Sequence, residues 1–183
     1  MEIFLQQNKN VYRKPIQIYY MKKIFYFLLI LLAVIQFIPV EYNEGKNTTT
    51  HSIETAHHVP DAVLTTFKNS CYDCHTNQTN YPWYAKIRPV AFWIANHVEE
   101  GKEELNFSSF GDYSLRRQYH KLEEISEQIE ENEMPLKSYT IIHGNAKLSE
   151  AQTSEIKDWV TALRDSFQRS YPIDSLKRKK IVK

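Results

Sequence analysis

The chain has 183 residues, 42% hydrophobic and 13% aromatic, with only 4 glycines: material for one modest helical domain with appendages, and poor material for a turn-rich β-fold. A net charge of +1 hides an asymmetry, because residues 51–168 carry 18 acidic and 11 basic side chains, net −7. Such an acidic domain excludes nucleic acid as a partner, since phosphate contact needs clustered positive charge.

Residues 1–23 are read as a cytoplasmic N-terminus carrying Arg13, Lys14, Lys22 and Lys23. Met21-Lys22-Lys23 looks like a natural start, which would make the first twenty residues an extension. Ile24–Val40 follows as an apolar run of 17 residues, interrupted only by Gln36 and Pro39. As a helix it reaches about 25 Å, a little under a hydrocarbon core of about 30 Å. Basic residues before the run and Glu41 and Glu44 after it put the downstream chain outside the cytoplasm. The run ends without an A-x-A cleavage pattern, so residues 24–40 are expected to remain as an inner-membrane anchor.

Residues 41–59, polar and holding Asn47-Thr48-Thr49-Thr50, read as a linker whose His51, His57 and His58 are solvated. The domain is expected over 60–168. Pro60-Asp61 opens a helix with Val63, Leu64 and Phe67 on its apolar side. After Cys71 to His75 comes an aromatic loop, Tyr81-Pro82-Trp83-Tyr84. A second helix is predicted from Pro89 to about Lys102, using Phe92, Trp93, Ile94 and Val98. A third runs from Ser114 to about Glu131, where Leu115, Tyr119, Leu122, Ile125 and Ile129 keep the 3.6 period. Met134-Pro135 starts an irregular stretch. Ser149 and Gln152 form a capping box for a last helix with Ile156, Trp159, Val160, Leu163 and Phe167 buried. The expected fold class is therefore all-α: four helices and long loops behind an N-terminal transmembrane helix. Residues 169–183 read as a basic, solvated tail containing Lys177-Arg178-Lys179-Lys180.

Cys71 and Cys74 are the only two cysteines. They are too few for a disulfide framework, and no second pair completes a four-ligand zinc site. His75 follows at once, which gives C-x-x-C-H. Covalent haem attachment needs two sulfurs a fixed distance apart on one side of the porphyrin, and two intervening residues in a helical turn supply it. The adjacent imidazole then meets the iron from the same face. A redox dithiol expects a βαβ context, whereas these flanks are helical. The expected cofactor is one covalent haem c.

The stretch from Phe67 to about Trp159 resembles the small c-type haem-binding domain family of Bacteroidota. The likeness rests on Cys71-Tyr72-Asp73-Cys74-His75, Tyr81-Pro82-Trp83-Tyr84, His97 with Leu105-Asn106-Phe107-Ser108, and Glu133-Met134-Pro135-Leu136-Lys137-Ser138-Tyr139. The resemblance implies a small cytochrome c-like domain and a haem carrier in the cell envelope, without naming a reaction.

Met134 is the only methionine in the domain, and its Met-Pro step resembles the distal ligand of class I cytochromes c. It is the expected sixth ligand opposite His75, with His97, His120 and His143 as competitors. Arg88 is a candidate partner for a haem propionate, and Trp83, Tyr84 and Trp93 are candidate haem-packing aromatics. The resulting expectation is a periplasm-facing electron carrier with an envelope redox partner, and no catalytic residues are assigned. The alternatives are a haem enzyme or gas sensor with an open iron, and a haem-bearing accessory subunit of a membrane complex.

Overall fold

The computed structural model describes residues 2–45 and 49–177. The readings placed on Asn47, Thr48 and the residues after Lys177 lie outside them. Among the described residues there is no strand, only an isolated bridge between Glu44 and Gln78, so the all-α expectation holds. The chain divides into two compact units, Met1–Glu41 with Pro82–Trp93, and Tyr42–Tyr81 with Ile94–Lys183.

The first unit is dominated by α1, Glu2–Ile35. Within it Gln17–Ile35, 19 residues and none buried, is long and apolar enough to cross a membrane. The apolar helix therefore lies several residues N-terminal of the 24–40 run. Pro39 disfavours helical geometry at Ile38 and supplies no N–H. The chain accordingly leaves the helix through i→i−3 bonds from Gln36, Phe37 and Ile38. A 3₁₀ turn, Trp83–Lys86, and the first residues of α5 (Val90–Glu104) complete this unit.

The second unit is built on α3 (Asp61–Ser70), most of α5, α6 (Leu115–Glu130) and α8 (Glu150–Ser170). These are the four predicted helices; α5 and α6 end within two residues of the ends read from the sequence, and α8 runs on to Ser170, into the segment read as a tail. Short helices fill the connections, α2 (Ile53–Ala56), α4 (Tyr72–His75) and α7 (Lys137–Thr140); a further one, α9 (Ile173–Leu176), follows α8 and buries Leu176, so the segment read as a solvated tail is in part core. α8 packs on both α3 and α6. Phe67, Phe107, Phe110, Tyr119, Leu122, Ile156, Trp159 and Val160 fill the space between them. Phe67 stacks on Phe107 with centroids 5.0 Å apart and meets the Trp159 edge at 5.6 Å.

The segment expected to be a linker is in part core. Ile53 and Val59 are buried, and the Trp159 indole donates to the His58 carbonyl at 3.0 Å. His57 is not a loose solvated histidine. Its Nε2 donates to Gln118 Oε1 at 2.8 Å and its ring packs on Phe110 and Phe167. Polar composition concealed this because two apolar residues suffice to pin a short segment when the rest of it bonds through side chains and backbone.

The capping box forms as read: the Ser149 hydroxyl accepts from Gln152 N at 3.2 Å, and Gln152 Oε1 accepts from Ser149 N at 2.9 Å. Ser149→Ala should lower stability by about 1 kcal/mol in urea denaturation, with haem content unchanged.

Candidate functional site

A cavity of about 450 Å³ opens in the second unit between α3, α4, the end of α5 and α6. Pockets for small molecules and cofactors span roughly 300–1,000 Å³. Its apolar wall is Phe67, Leu105, Phe107, Ile125 and Ile129. Cys71 and His75 enter from one side of the chain's course, and Met134 and Pro135 from the loop after α6.

His75 is the best-defined group. Its Nδ1 lies 2.8 Å from the Gly101 carbonyl oxygen and 3.0 Å from that of Leu105. Carbonyls only accept, so Nδ1 carries the proton and Nε2 keeps its lone pair. Burial lowers the His75 pKa more than those two bonds raise it, which favours the neutral ring. A neutral imidazole with a fixed Nδ1–H is what a metal-ligating histidine requires. Gly101 lies in the last turn of α5 and Leu105 directly follows it; the Gly101 carbonyl also accepts from Leu105 N at 2.9 Å. Gly101 makes the approach possible: a Cβ there would stand 3.2 Å from the Cys74 carbonyl oxygen and 3.5 Å from His75 Cε1.

The rest of the turn is braced from behind. Tyr72 stacks on Phe107 at 5.3 Å, and its hydroxyl donates to Glu54 at 3.2 Å. The buried Thr76 hydroxyl reaches the Tyr72 carbonyl at 2.7 Å. Asn43 Nδ2 donates to the Thr76 carbonyl at 2.8 Å, and Lys102 Nζ donates to Asn43 Oδ1 at 2.7 Å. Asn106 Nδ2 donates to Asn77 Oδ1 at 2.7 Å while Asn106 Oδ1 accepts from Ser108 N. The Leu105-Asn106-Phe107-Ser108 run thus lies directly behind the cysteine turn.

Burial pushes the Cys71 thiol up to about 12, and the Cys74 thiol up to about 11. Reactive dithiols and thiolate metal ligands need the opposite shift. Among the described residues, no group of three or more His, Cys, Asp and Glu could hold a metal ion by itself.

Met134 is placed by the end of α6. Asn132 has φ 58°, Glu133 N donates to the Gln128 carbonyl at 3.0 Å, and Asn132 N donates to that of Ile129 at 3.3 Å. This is a Schellman cap with Asn in the left-handed position. Met134 N donates to the same Gln128 carbonyl at 3.1 Å. α7 returns to the cysteine turn, where the Tyr139 hydroxyl donates to Asp73 Oδ2 at 2.7 Å.

The competing histidines do not line the cavity. His120 pairs with Glu124 at 3.0 Å on an exposed face, and His143 stacks on Tyr139 at 4.4 Å. His97 lies on α5, away from the lining set. Arg88, Trp83, Tyr84 and Trp93 also fall outside that set and belong to the first unit. The Arg88 guanidinium, expected toward a propionate, donates to the Ile38 and Lys86 carbonyls at 3.0 and 3.2 Å. Cys74 flanks the cavity without lining it.

Sequence reasoning missed Lys121. Its ammonium lines the cavity, 11% exposed, between Glu124 at 2.6 Å and Glu104 at 3.1 Å. Burial pulls its pKa down, and hydrogen bonds to Glu124 and Glu104 more than offset that. The only sequence signal was a lysine one step from the buried stripe of α6.

Fold and site define an all-α protein with a largely apolar cavity in its second unit and a neutral, oriented histidine in the lining. The family model described as "Haem-binding domain" matches residues 30–162, which takes in the cavity and the cysteine turn. The chain belongs to the haem-binding domain family, and the wall accords with a haem: apolar surface, a neutral imidazole and a soft thioether. Neither the curated proteins nor the solved structures contain a match to this chain.

Two substitutions test how the walls are held. Gly101→Val should overpack the α5–turn contact, costing about 1–3 kcal/mol in denaturation and lowering the haem-to-protein ratio. Asn132→Val should cost roughly 1–2 kcal/mol through left-handed strain, whereas Asn132→Gly should leave the melting temperature within error.

Proposed function

We propose that this protein is a membrane-anchored c-type cytochrome that passes single electrons in the periplasm. In this reading the haem is joined by thioethers at Cys71 and Cys74, and His75 and Met134 are the axial ligands. The observation that carries it is the His75 imidazole, neutral and oriented by two carbonyls, lining the same cavity as Met134.

Bound haem supplies a one-electron iron couple whose potential follows its axial ligands. The chain's own residues do the rest. Cys71 and Cys74 would fix the ring's position, each thiol adding its S–H across one vinyl group. His75 Nδ1–H, engaged by Gly101 and Leu105, holds the imidazole in one rotamer and tautomer. The Asn132 cap and the Tyr139–Asp73 bond hold the Met134 loop. With His75 and Met134 both on the iron no position would remain for a substrate, which would favour outer-sphere transfer over catalysis. Lys121 is the lining cation able to meet a carboxylate. Glu104, Glu124 and Glu127, which also line the cavity, present the acidic surface a basic redox partner would read. The helix Gln17–Ile35 is the anchor, with the positive side inward.

The test is the visible spectrum and potential of Met134→Ala. The native reduced protein should show a sharp low-spin α-band that carbon monoxide leaves unchanged. The variant should turn high-spin, bind carbon monoxide and lose on the order of 0.1 V of potential, within the roughly 0.8 V range that axial ligands span. A variant indistinguishable from the native protein would remove Met134 from the iron. A native protein that binds carbon monoxide readily would favour the open-site reading.

A further inference from the structure

We infer that residues 82–93 are a second membrane contact, an aromatic interfacial anchor seated in the headgroup region where α1 leaves the bilayer. The inference rests on the anchor reading of α1 and adds to it a surface of defined position and chemistry.

The position is set by hydrogen bonds. Gln36 is the first residue after α1. Its Nε2 donates to the Arg88 carbonyl at 3.0 Å, and its Oε1 accepts from Arg88 N at 3.1 Å. Arg88 Nε donates to the Ile38 carbonyl at 3.0 Å. Three bonds therefore fasten the middle of the segment to residues 36–38. The helix Gln17–Ile35 has 19 residues, about 28 Å, which matches a hydrocarbon core of about 30 Å. Gln36 then stands at its boundary, and so does whatever is bonded to it.

The chemistry of the segment fits that depth. Trp83, Ile87, Val90, Phe92 and Trp93 are between 36% and 75% exposed, and Phe37 and Ile38 are exposed beside them in the same unit. Clustered apolar side chains facing water mark an interaction surface. Tryptophan prefers the membrane–water boundary, where one part of the indole is apolar and another can be wet. Residues 82–93 contain Lys86 and Arg88 but no Asp or Glu, inside a domain that is otherwise acidic. That charge suits lipid phosphates. The continuity with an apolar helix end selects a bilayer over a protein partner. It also gives Arg88 and Trp83 a purpose distinct from haem packing.

The test uses the full chain in lipid nanodiscs whose acyl chains either carry bromine near the carbonyl or do not. The chain has 3 tryptophans, and Trp159, 8% exposed in the core of the other unit, serves as the internal control. Emission is compared between the two discs at equal haem content, so that energy transfer to haem cancels. Native protein should lose emission roughly twofold in brominated discs, because two of its three indoles lie at the interface. The double variant W83F/W93F should show equal emission in both. Native protein that co-elutes with the discs yet shows equal emission in both overturns the inference and leaves the anchor standing. A chain that fails to co-elute with discs overturns the anchor and this inference together.

Discussion

The N–H of one imidazole, held between the carbonyls of Gly101 and Leu105, is the interaction on which the rest of the site depends. Two acceptors leave the ring one tautomer, and burial keeps it neutral. For that to happen the turn Tyr72–His75 must lie against the C-terminal end of α5. A side chain at position 101 would stand in the way, so a helix interior carries a glycine despite a propensity cost of about 1 kcal/mol. Phe107, Asn106, Thr76 and Asn43 then hold the turn from the other side.

The Met134 part of the lining is held by different means. α6 supplies Ile125 and Ile129, and its Schellman cap reverses the chain so that Met134 follows within two residues of the left-handed Asn132. Tyr139, five residues further on, bonds to Asp73 inside the cysteine turn. The two parts of the lining are thus joined by a short polar link as well as by the common core of Phe67 and Phe107. A thioether on a capped loop and a histidine bonded to two carbonyls on a helical turn make an asymmetric site.

What could be read from the sequence was local. The helical periods of α6 and α8, the Ser149–Gln152 box and the five-residue cysteine–histidine unit are all short-range patterns, and each forms where it was read. What could not be read was long-range. Asn43 bonds to Thr76 across 33 positions, and Arg88 bonds to Gln36 across 52. Arg88 looked like a propionate partner because sequence shows its charge and not its neighbours. Lys121 drew no reading because one residue of α6 rotation separates a surface lysine from a cavity-lining one. Asn132 was legible in principle, as a left-handed cap at a helix end, and would have marked the start of the Met134 loop.

The central claim is that His75 Nε2 binds iron while Nδ1 stays protonated against α5. Electron–nuclear hyperfine spectroscopy of the ferric protein carrying ¹⁵N only in histidine tests it most directly. The account predicts one directly coordinated histidine nitrogen, together with an exchangeable proton on the remote nitrogen of the same ring, and the loss of both in His75→Gly. A coordinated ¹⁵N signal that survives His75→Gly, or the absence of any in the native protein, would contradict it.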